Sequence, residues 1–354
     1  MFQLSFDNRN FSTLANFEEE GTGLPDFAKA AIDFCKDWLS GKNNFTQRTS
    51  GSTGTPKEIV ITRSQMIASA EATQLNFHTD ENSKLICCLD PNYIAGKMML
   101  VRAMVWNCPI ALIEPKSTPL SVLTSAPDFV AMVPLQVEAC FQDKSSLNIL
   151  KKIKHLIIGG APISSELKNH LIQHEIRAYQ TYGMTETVSH IALAKINSEE
   201  LRYEILPGVD YGVDKRNALW VKSAASNHEV VQTNDLVELL DDNSFRWLGR
   251  ADFVINSGGV KLHPELLEVK AERVIHAFFP SSAFFFFGKE DEKLGAKLCL
   301  VIEAEEESQR VDHLLQALRD VLGRYEVPKN IFLISQFSRT ISGKINRPRT
   351  IEKL

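Results

Sequence analysis

Between residues 84 and 174 the sequence alternates short apolar runs with stretches of helical periodicity, and this alternation most constrains the fold. Lys84–Asp90 (KLICCLD) reads as a short buried strand, followed by a helical run from about Lys97 to Trp106. Ala126–Val133 and His155–Ile158 again read as buried strands, each beside helical material. Ser165–His174 reads as a helix with Ser164 or Ser165 as its N-cap and Glu166 in its first turn. Strands too apolar to face water on either side, with helices between them, require a largely parallel sheet covered by helices. Cys87 and Cys88 fall on opposite faces of their strand, so they cannot act as a pair.

From Leu201 to Trp247 the texture changes. ALWVKSA, VVQTNDLVELL and SFRWLG are short strand-like pieces separated by Asn, Asp and Gly, which predicts a β-rich subdomain over about residues 201–248. After Gly249-Arg250-Ala251-Asp252 the pattern is mixed again. PELLEVKAERVI and VDHLLQALRDVLG read as helices, AFFFFG and KLCLVIE as strands, with Phe284–Phe287 buried on both faces. The expectation is an α/β chain with an N-terminal domain over 1–251, mostly parallel in its sheet, and a small α+β C-terminal domain over 252–354. The hinge is expected near Asp252.

Composition removes several function classes. A formal charge of −5 gives no basic surplus for a nucleic-acid face. The start, MFQLSFDNRNF, lacks the order of a signal peptide, and no apolar run approaches the roughly 20 residues that cross a bilayer. The six cysteines are scattered with no CxxC. A soluble, reduced, cytoplasmic protein is the expectation.

Residues 49–57, TSGSTGTPK, are too polar for a core. They do not make a Walker A loop, because Pro56 precedes Lys57 and Glu58 stands where a magnesium-binding Ser or Thr belongs. The ingredients nonetheless suit a polyanion: glycines allow close backbone approach, hydroxyls donate to phosphate oxygens, and one ammonium offsets charge. Four further stretches follow in order: GGAPIS (159–164), YGMTET (182–187), TNDLVEL (233–239) leading into GRADFVINSGGVKLHPELLE (249–268), and RTISGKINR (339–347). Together with TSGSTGTPK, their order and spacing resemble the adenylate-forming superfamily of acyl- and aryl-CoA synthetases, luciferases and peptide-synthetase adenylation domains.

The resemblance implies an enzyme that joins a small-molecule carboxylic acid to AMP, expels pyrophosphate and passes the acyl group to CoA, using ATP, Mg2+ and CoA. Both reactants of the first step are anions, so the protein must offset charge and hold them in line. By resemblance, Thr49, Ser50, Ser52, Thr53 and Lys57 hold the β- and γ-phosphates. Gly160, Ala161 and Pro162 flank adenine. Tyr182, followed by Gly183, offers a ring to the base, Thr185 a hydroxyl to phosphate or carboxylate, and Glu186 an oxygen ligand for magnesium. Asp235 accepts from the ribose hydroxyls, although Asn234 replaces the glycine of the more usual Thr-Gly-Asp, and Arg250 reaches ribose or phosphate. Lys344 is the catalytic cation of a mobile C-terminal domain that turns about Asp252, and Gly258 and Gly259 let a pantetheine arm pass.

The stretch LDPNYIAGKMMLVRAM (89–104) lies where related enzymes shape the acyl pocket. Lys97 near a helix N-terminus is unfavourably placed by a few tenths to about 1 kcal/mol. Either it meets a second carboxylate of the substrate, with Asn92 and Tyr93 nearby, or its head extends into solvent. Only 48 residues precede the phosphate loop, which implies a pocket with fewer walls. In NYIAGKMM and this short start the chain resembles the o-succinylbenzoate–CoA ligases of menaquinone biosynthesis. Other acids, a carrier-protein thiol as acceptor, or a nucleotide-binding regulator without catalysis are the alternatives, and an oligomer is possible.

Overall fold

The computed structural model describes residues 1–18, 23–48, 58–197, 200–240, 243–305, 308–339 and 345–354. The chain opens with β1 (Gln3–Phe6), β2 (Arg9–Phe11), α1 (Leu14–Glu18) and α2 (Asp26–Leu39), then a hairpin of β3 (Asn44–Arg48) and β4 (Glu58–Thr62). The alternating part follows: α3 (Arg63–Phe77), β5 (Leu85–Cys87), α4 (Ile94–Val105), β6 (Pro109–Leu112), β7 (Phe129–Met132), α5 (Pro134–Cys140), α6 (Lys144–Leu150), β8 (His155–Ile158), α7 (Ser165–Gln173) and β9 (Ala178–Gly183). The antiparallel part comprises β10 (His190–Lys195), β11 (Tyr203–Ile205), β12 (Asp210–Val213), β13 (Ala218–Lys222), β14 (Val231–Leu240) and β15 (Ser244–Arg250).

Local chemistry explains where these elements start. Thr62 and Gln65 form a capping box that opens α3, and Ser164 Oγ accepts the Leu167 N–H to open α7, as expected. The α4 helix begins at Ile94, three residues before the expected Lys97. Gly96 lies inside its first turn, where a Cβ would stand 2.5 Å from the Asp90 carbonyl oxygen, so only a bare backbone lets the helix start this close to the preceding turn.

Strands β9, β8, β7, β5, β6 and β1 lie side by side in that order, each neighbouring pair parallel. Helices cover both faces: Cys87 packs with α2, α3 and α4, whereas Cys88 packs with α5, α6 and α7. The strands expected to form a β-rich subdomain continue this sheet from β9 through antiparallel pairings, in the order β10, β11, β15, β14, β13, β12. All six cysteines are free and buried, and burial raises every thiol, those of Cys87, Cys108 and Cys140 to about 12.

After Arg250 a second sheet begins, built from β16 (Ile255–Ser257), β17 (Val260–Leu262), β18 (Phe284–Asp291), β19 (Gly295–Glu303) and β20 (Asn330–Ile334). Helices α8 (Pro264–Phe278) and α9 (Ser308–Val321) cover one face with Phe286 beneath them. Phe285 and Phe287 point to the other face, against Phe337, Ile345 and Ile351, the last at the end of α10 (Arg347–Ile351). The four-phenylalanine run is therefore covered on both sides.

Candidate active site

The parallel strands end together along one edge of the sheet. From β5 the chain crosses to β6 on one side, while from β7 it crosses to β8 on the other, so the connections part at the β5–β7 pair. Such a switch point leaves a crevice outside the carboxyl ends of the strands. Asn92 and Tyr93 follow β5, Gly160, Ala161 and Pro162 follow β8, and Thr185 and Glu186 follow β9, all at this edge. The small-residue turn 160–162 is exposed.

Tyr182, Asp235 and Arg250 converge, although 53 residues separate the first two. The Tyr182 hydroxyl donates to Asp235 Oδ2 at 2.7 Å. Asp235 is paired in register with Arg250, whose Nη1 lies 3.9 Å from Asp235 Oδ1. Burial and the Asp235 charge raise the Tyr182 phenol, so it stays a donor throughout the neutral range. Its ring meets Phe245 and Tyr203 edge-on. Burial works against the Arg250 charge, but Asp252, Asp235 and Glu265 prevail and hold the guanidinium above its usual value.

The turn after β9 is held tightly. Thr187 Oγ1 accepts from the Met184 N–H and donates to the Ser189 carbonyl, and Val188, a β-branched residue, takes φ +65°. A positive φ at valine is strained, and strain of this kind persists only where the surroundings enforce it. Gly183 is required there: a Cβ would overlap the Ser189 carbonyl oxygen and stand 2.5 Å from His190 Cα. Thr185 and Glu186 ride on this turn, and Glu186 is exposed. One exposed carboxylate beside a hydroxyl fits Mg2+, a hard ion that commonly takes one or two carboxylates, waters and substrate phosphates.

Behind the turn lies a charge that sequence reading missed. Arg102 of α4 is 2% exposed. Its Nη2 donates to Ser189 Oγ at 2.9 Å, its ring-side contact is Phe129, and among the described residues no carboxylate pairs with it. Burial pushes it down to about 10, which still leaves it charged at neutral pH. His190 completes the cluster between Ser189 Oγ and Thr73 Oγ1, both at 3.3 Å, and burial with Arg102 holds its imidazole neutral. The available signal was a single arginine inside the otherwise apolar run MMLVRAMV.

Lys97 does not extend into solvent. Its Nζ donates to Gln47 Oε1 at 2.9 Å, and burial together with the Lys42 charge lowers its pKa. Gln47 also donates to the Asn92 carbonyl at 3.3 Å, so it ties the loop after β5 and the first turn of α4 to β3. Gln47 is buried on the same face of β3 as Phe45, and a polar residue on the core face of NFTQR was the sequence signal for it. Among the described residues no carboxylate pairs with Lys97. The Asn92 side chain turns back to Asp90, and Tyr93 is exposed.

Thr49, Ser50, Ser52, Thr53, Lys57 and Lys344 lie outside the described residues. The first five fall between β3 and β4, whose last pair is Arg48 with Glu58. Lys344 falls between Arg339 and Ile345, which form an antiparallel bridge. Gly258 and Gly259, both at positive φ, make the two-residue turn from β16 to β17, a geometry that favours glycine at both positions.

Comparison with known proteins identifies the family. The family of the AMP-binding enzyme matches residues 43–211. A crystal structure of an acyl-CoA synthetase (AMP-forming)/AMP-acid ligase II-like protein from Dyadobacter fermentans is 38% identical, covering 97% of this chain and 98% of that one, with a TM-score of 0.65. The 2-succinylbenzoate–CoA ligase of Listeria monocytogenes is 25% identical over 374 residues, 95% of this chain and 77% of that protein. O-succinylbenzoate coenzyme A synthetase from Bacillus subtilis, in complex with ATP and magnesium ion, shares the fold at a TM-score of 0.71 and 20% identity, over 86% of this chain and 69% of that one. The motifs in order, the clustered Tyr182, Asp235 and Arg250, and identity sustained along the whole length of the Dyadobacter protein place the chain in the AMP-binding enzyme family of AMP-forming acid–thiol ligases.

Proposed function

We propose that this enzyme converts an aromatic dicarboxylic acid, o-succinylbenzoate, to its CoA thioester through an acyl-adenylate. The observation that carries the substrate class is Lys97 on α4: its half-buried ammonium donates to the Gln47 amide oxygen and, among the described residues, pairs with no carboxylate, so it favours the approach of an anion. The curated relatives named for 2-succinylbenzoate support the same choice.

In this reading Asp235 accepts from the ribose hydroxyls, with the Tyr182 hydroxyl and Arg250 fixing its orientation. Arg250 faces the nucleotide, and Tyr182 and the 160–162 turn flank the base. Glu186 would hold a magnesium ion, which would offset phosphate charge. Thr49, Ser50, Ser52, Thr53 and Lys57 hold the departing pyrophosphate, and Lys344 bridges the carboxylate and the α-phosphate during the first step. The acid attacks the α-phosphorus, the bond to pyrophosphate breaks, and the CoA thiol then displaces AMP. Turning of the part after Asp252 presents the Gly258–Gly259 turn to the pantetheine arm.

The test is a panel of aryl and acyl mono- and dicarboxylic acids, assayed for pyrophosphate release with ATP, magnesium and CoA. The reading requires o-succinylbenzoate to exceed its monocarboxylic analogues in kcat/KM by at least tenfold. Turnover with a carrier-protein thiol and none with CoA would move the assignment to the carrier alternative.

A further inference from the structure

We propose that Asn234 is a positioning residue that clamps the hinge residue Asp252 and thereby sets the balance between adenylation and thioester formation. The proposal rests on the two-step reading above. Asn234 Nδ2 donates to both carboxylate oxygens of Asp252, at 3.1 and 3.4 Å. Which end of the amide faces Asp252 is decided by its other neighbour: Arg216 Nη1 donates to Asn234 Oδ1 at 3.3 Å, and Arg216 is itself held by Asp214 at 2.8 Å. A guanidinium on the oxygen leaves the NH2 group for the carboxylate.

A second side chain from the first sheet holds the same carboxylate, Arg250 Nη2 at 2.6 Å from Asp252 Oδ2. Arg250 is divided between Asp252 and Asp235, so a nucleotide that draws Arg250 toward itself leaves Asn234 as the remaining holder. Only residues 251–254 separate the last strand of the first sheet from the first strand of the second, and Ala251–Phe253 make a single tight turn. Any rotation of one sheet against the other passes through this segment. Contacts made in one arrangement and lost in another are what bias a conformational equilibrium. A glycine before Asp235, as in the more usual Thr-Gly-Asp, offers no side-chain donor, so the clamp on Asp252 belongs to Asn234. Two other contacts join the parts without Asn234: Ser165 N–H donates to Glu272 at 2.9 Å, and Arg250 N–H to Glu265 at 3.3 Å. Its loss therefore shifts the balance without undocking the parts.

The experiment compares the full-length chain with Asn234→Ala and Arg216→Ala. Three quantities are followed: tryptic cleavage after Arg250, acid-dependent pyrophosphate exchange, and thioester formation from supplied acyl-adenylate. Asn234→Ala is expected to accelerate hinge cleavage roughly threefold to tenfold, the equivalent of one exposed hydrogen bond to a carboxylate. The ratio of the two half-reaction rates changes by a similar factor, one rising as the other falls, and Arg216→Ala moves both readouts the same way by less. Unchanged cleavage with an unchanged ratio overturns the clamp, as does an equal fall of both half-reactions in step with Tm. Absence of exchange with every acid in the unaltered chain sinks the two-step reading instead, and the cleavage rates alone then decide the clamp.

Discussion

The Lys97 ammonium donates to the Gln47 amide oxygen at 2.9 Å, which joins the helix after β5 to the strand that runs into TSGSTGTPK. The acid-binding side and the phosphate-binding side of the proposed site therefore share a hydrogen-bonded seam. Replacing Lys97 with Met removes the charge and keeps an unbranched stem. The expected outcome is a tenfold to hundredfold loss in kcat/KM for o-succinylbenzoate and a change below threefold for a monocarboxylic analogue, from parallel steady-state assays. Because burial and Lys42 lower the Lys97 pKa, preference for the dicarboxylic acid fades on raising the pH earlier than an ordinary lysine, near 10.4, dictates. Equal losses for both acids would place the second carboxylate elsewhere.

His190 predicts an acid-side stability limb. Its folded pKa is depressed well below 6.5 by burial and then by Arg102, so below about pH 6.5 the unfolded chain binds a proton that the folded chain refuses. Stability linked to this group is present above that pH and is lost as pH falls through the window, by up to roughly 1.4 kcal/mol per pH unit. Urea denaturation between pH 7 and pH 5 checks it. His190→Gln, which stays neutral, flattens the dependence relative to the unaltered chain, and an identical slope in both would assign the limb to other groups.

Gly183→Ala tests the turn that carries Thr185 and Glu186. The new methyl meets the backbone of Ser189 and His190, which cannot swing aside like a flexible side chain. Forced displacement is expected to cost about 1–3 kcal/mol in stability and to reduce adenylation at least a hundredfold, read by thermal unfolding and pyrophosphate exchange. Full activity at reduced Tm would show that the turn tolerates movement.

Lys344→Ala separates the half-reactions. Adenylation is expected to fall by at least two orders of magnitude, while thioester formation from supplied acyl-adenylate stays within about fivefold, because in the proposed mechanism the ammonium serves only the step that creates charge at the α-phosphate. Equal loss in both steps would require a single arrangement for the whole reaction.

What was readable in the sequence was local. His155–Ile158 carries the apolar run Leu156–Ile158 and forms a strand of those four residues, and Ser164 opens α7 because its hydroxyl meets an amide three residues on. Tyr182, Asp235 and Arg250 were named from the resemblance of their motifs to the adenylate-forming superfamily, and the fold brings them within bonding range. What escaped depends on distant pairing. That β11 to β15 extend the first sheet rather than stand apart follows from the pairing of β10 with both β9 and β11, a register no single segment encodes. Gln47 with Lys97, and Arg102 with Ser189, join residues 50 and 87 positions apart. A departure from the usual motif at Asn234 was legible, but its partner Asp252 was not, because the amide's direction is set by Arg216.

The six interior cysteines bear on chemical self-protection. An acyl-adenylate is an acylating agent that reacts with any thiolate within reach, and an enzyme that makes one risks modifying itself. Here every sulfhydryl of the chain is shut in the core and kept protonated, so the sulfur that CoA brings meets no rival from the protein.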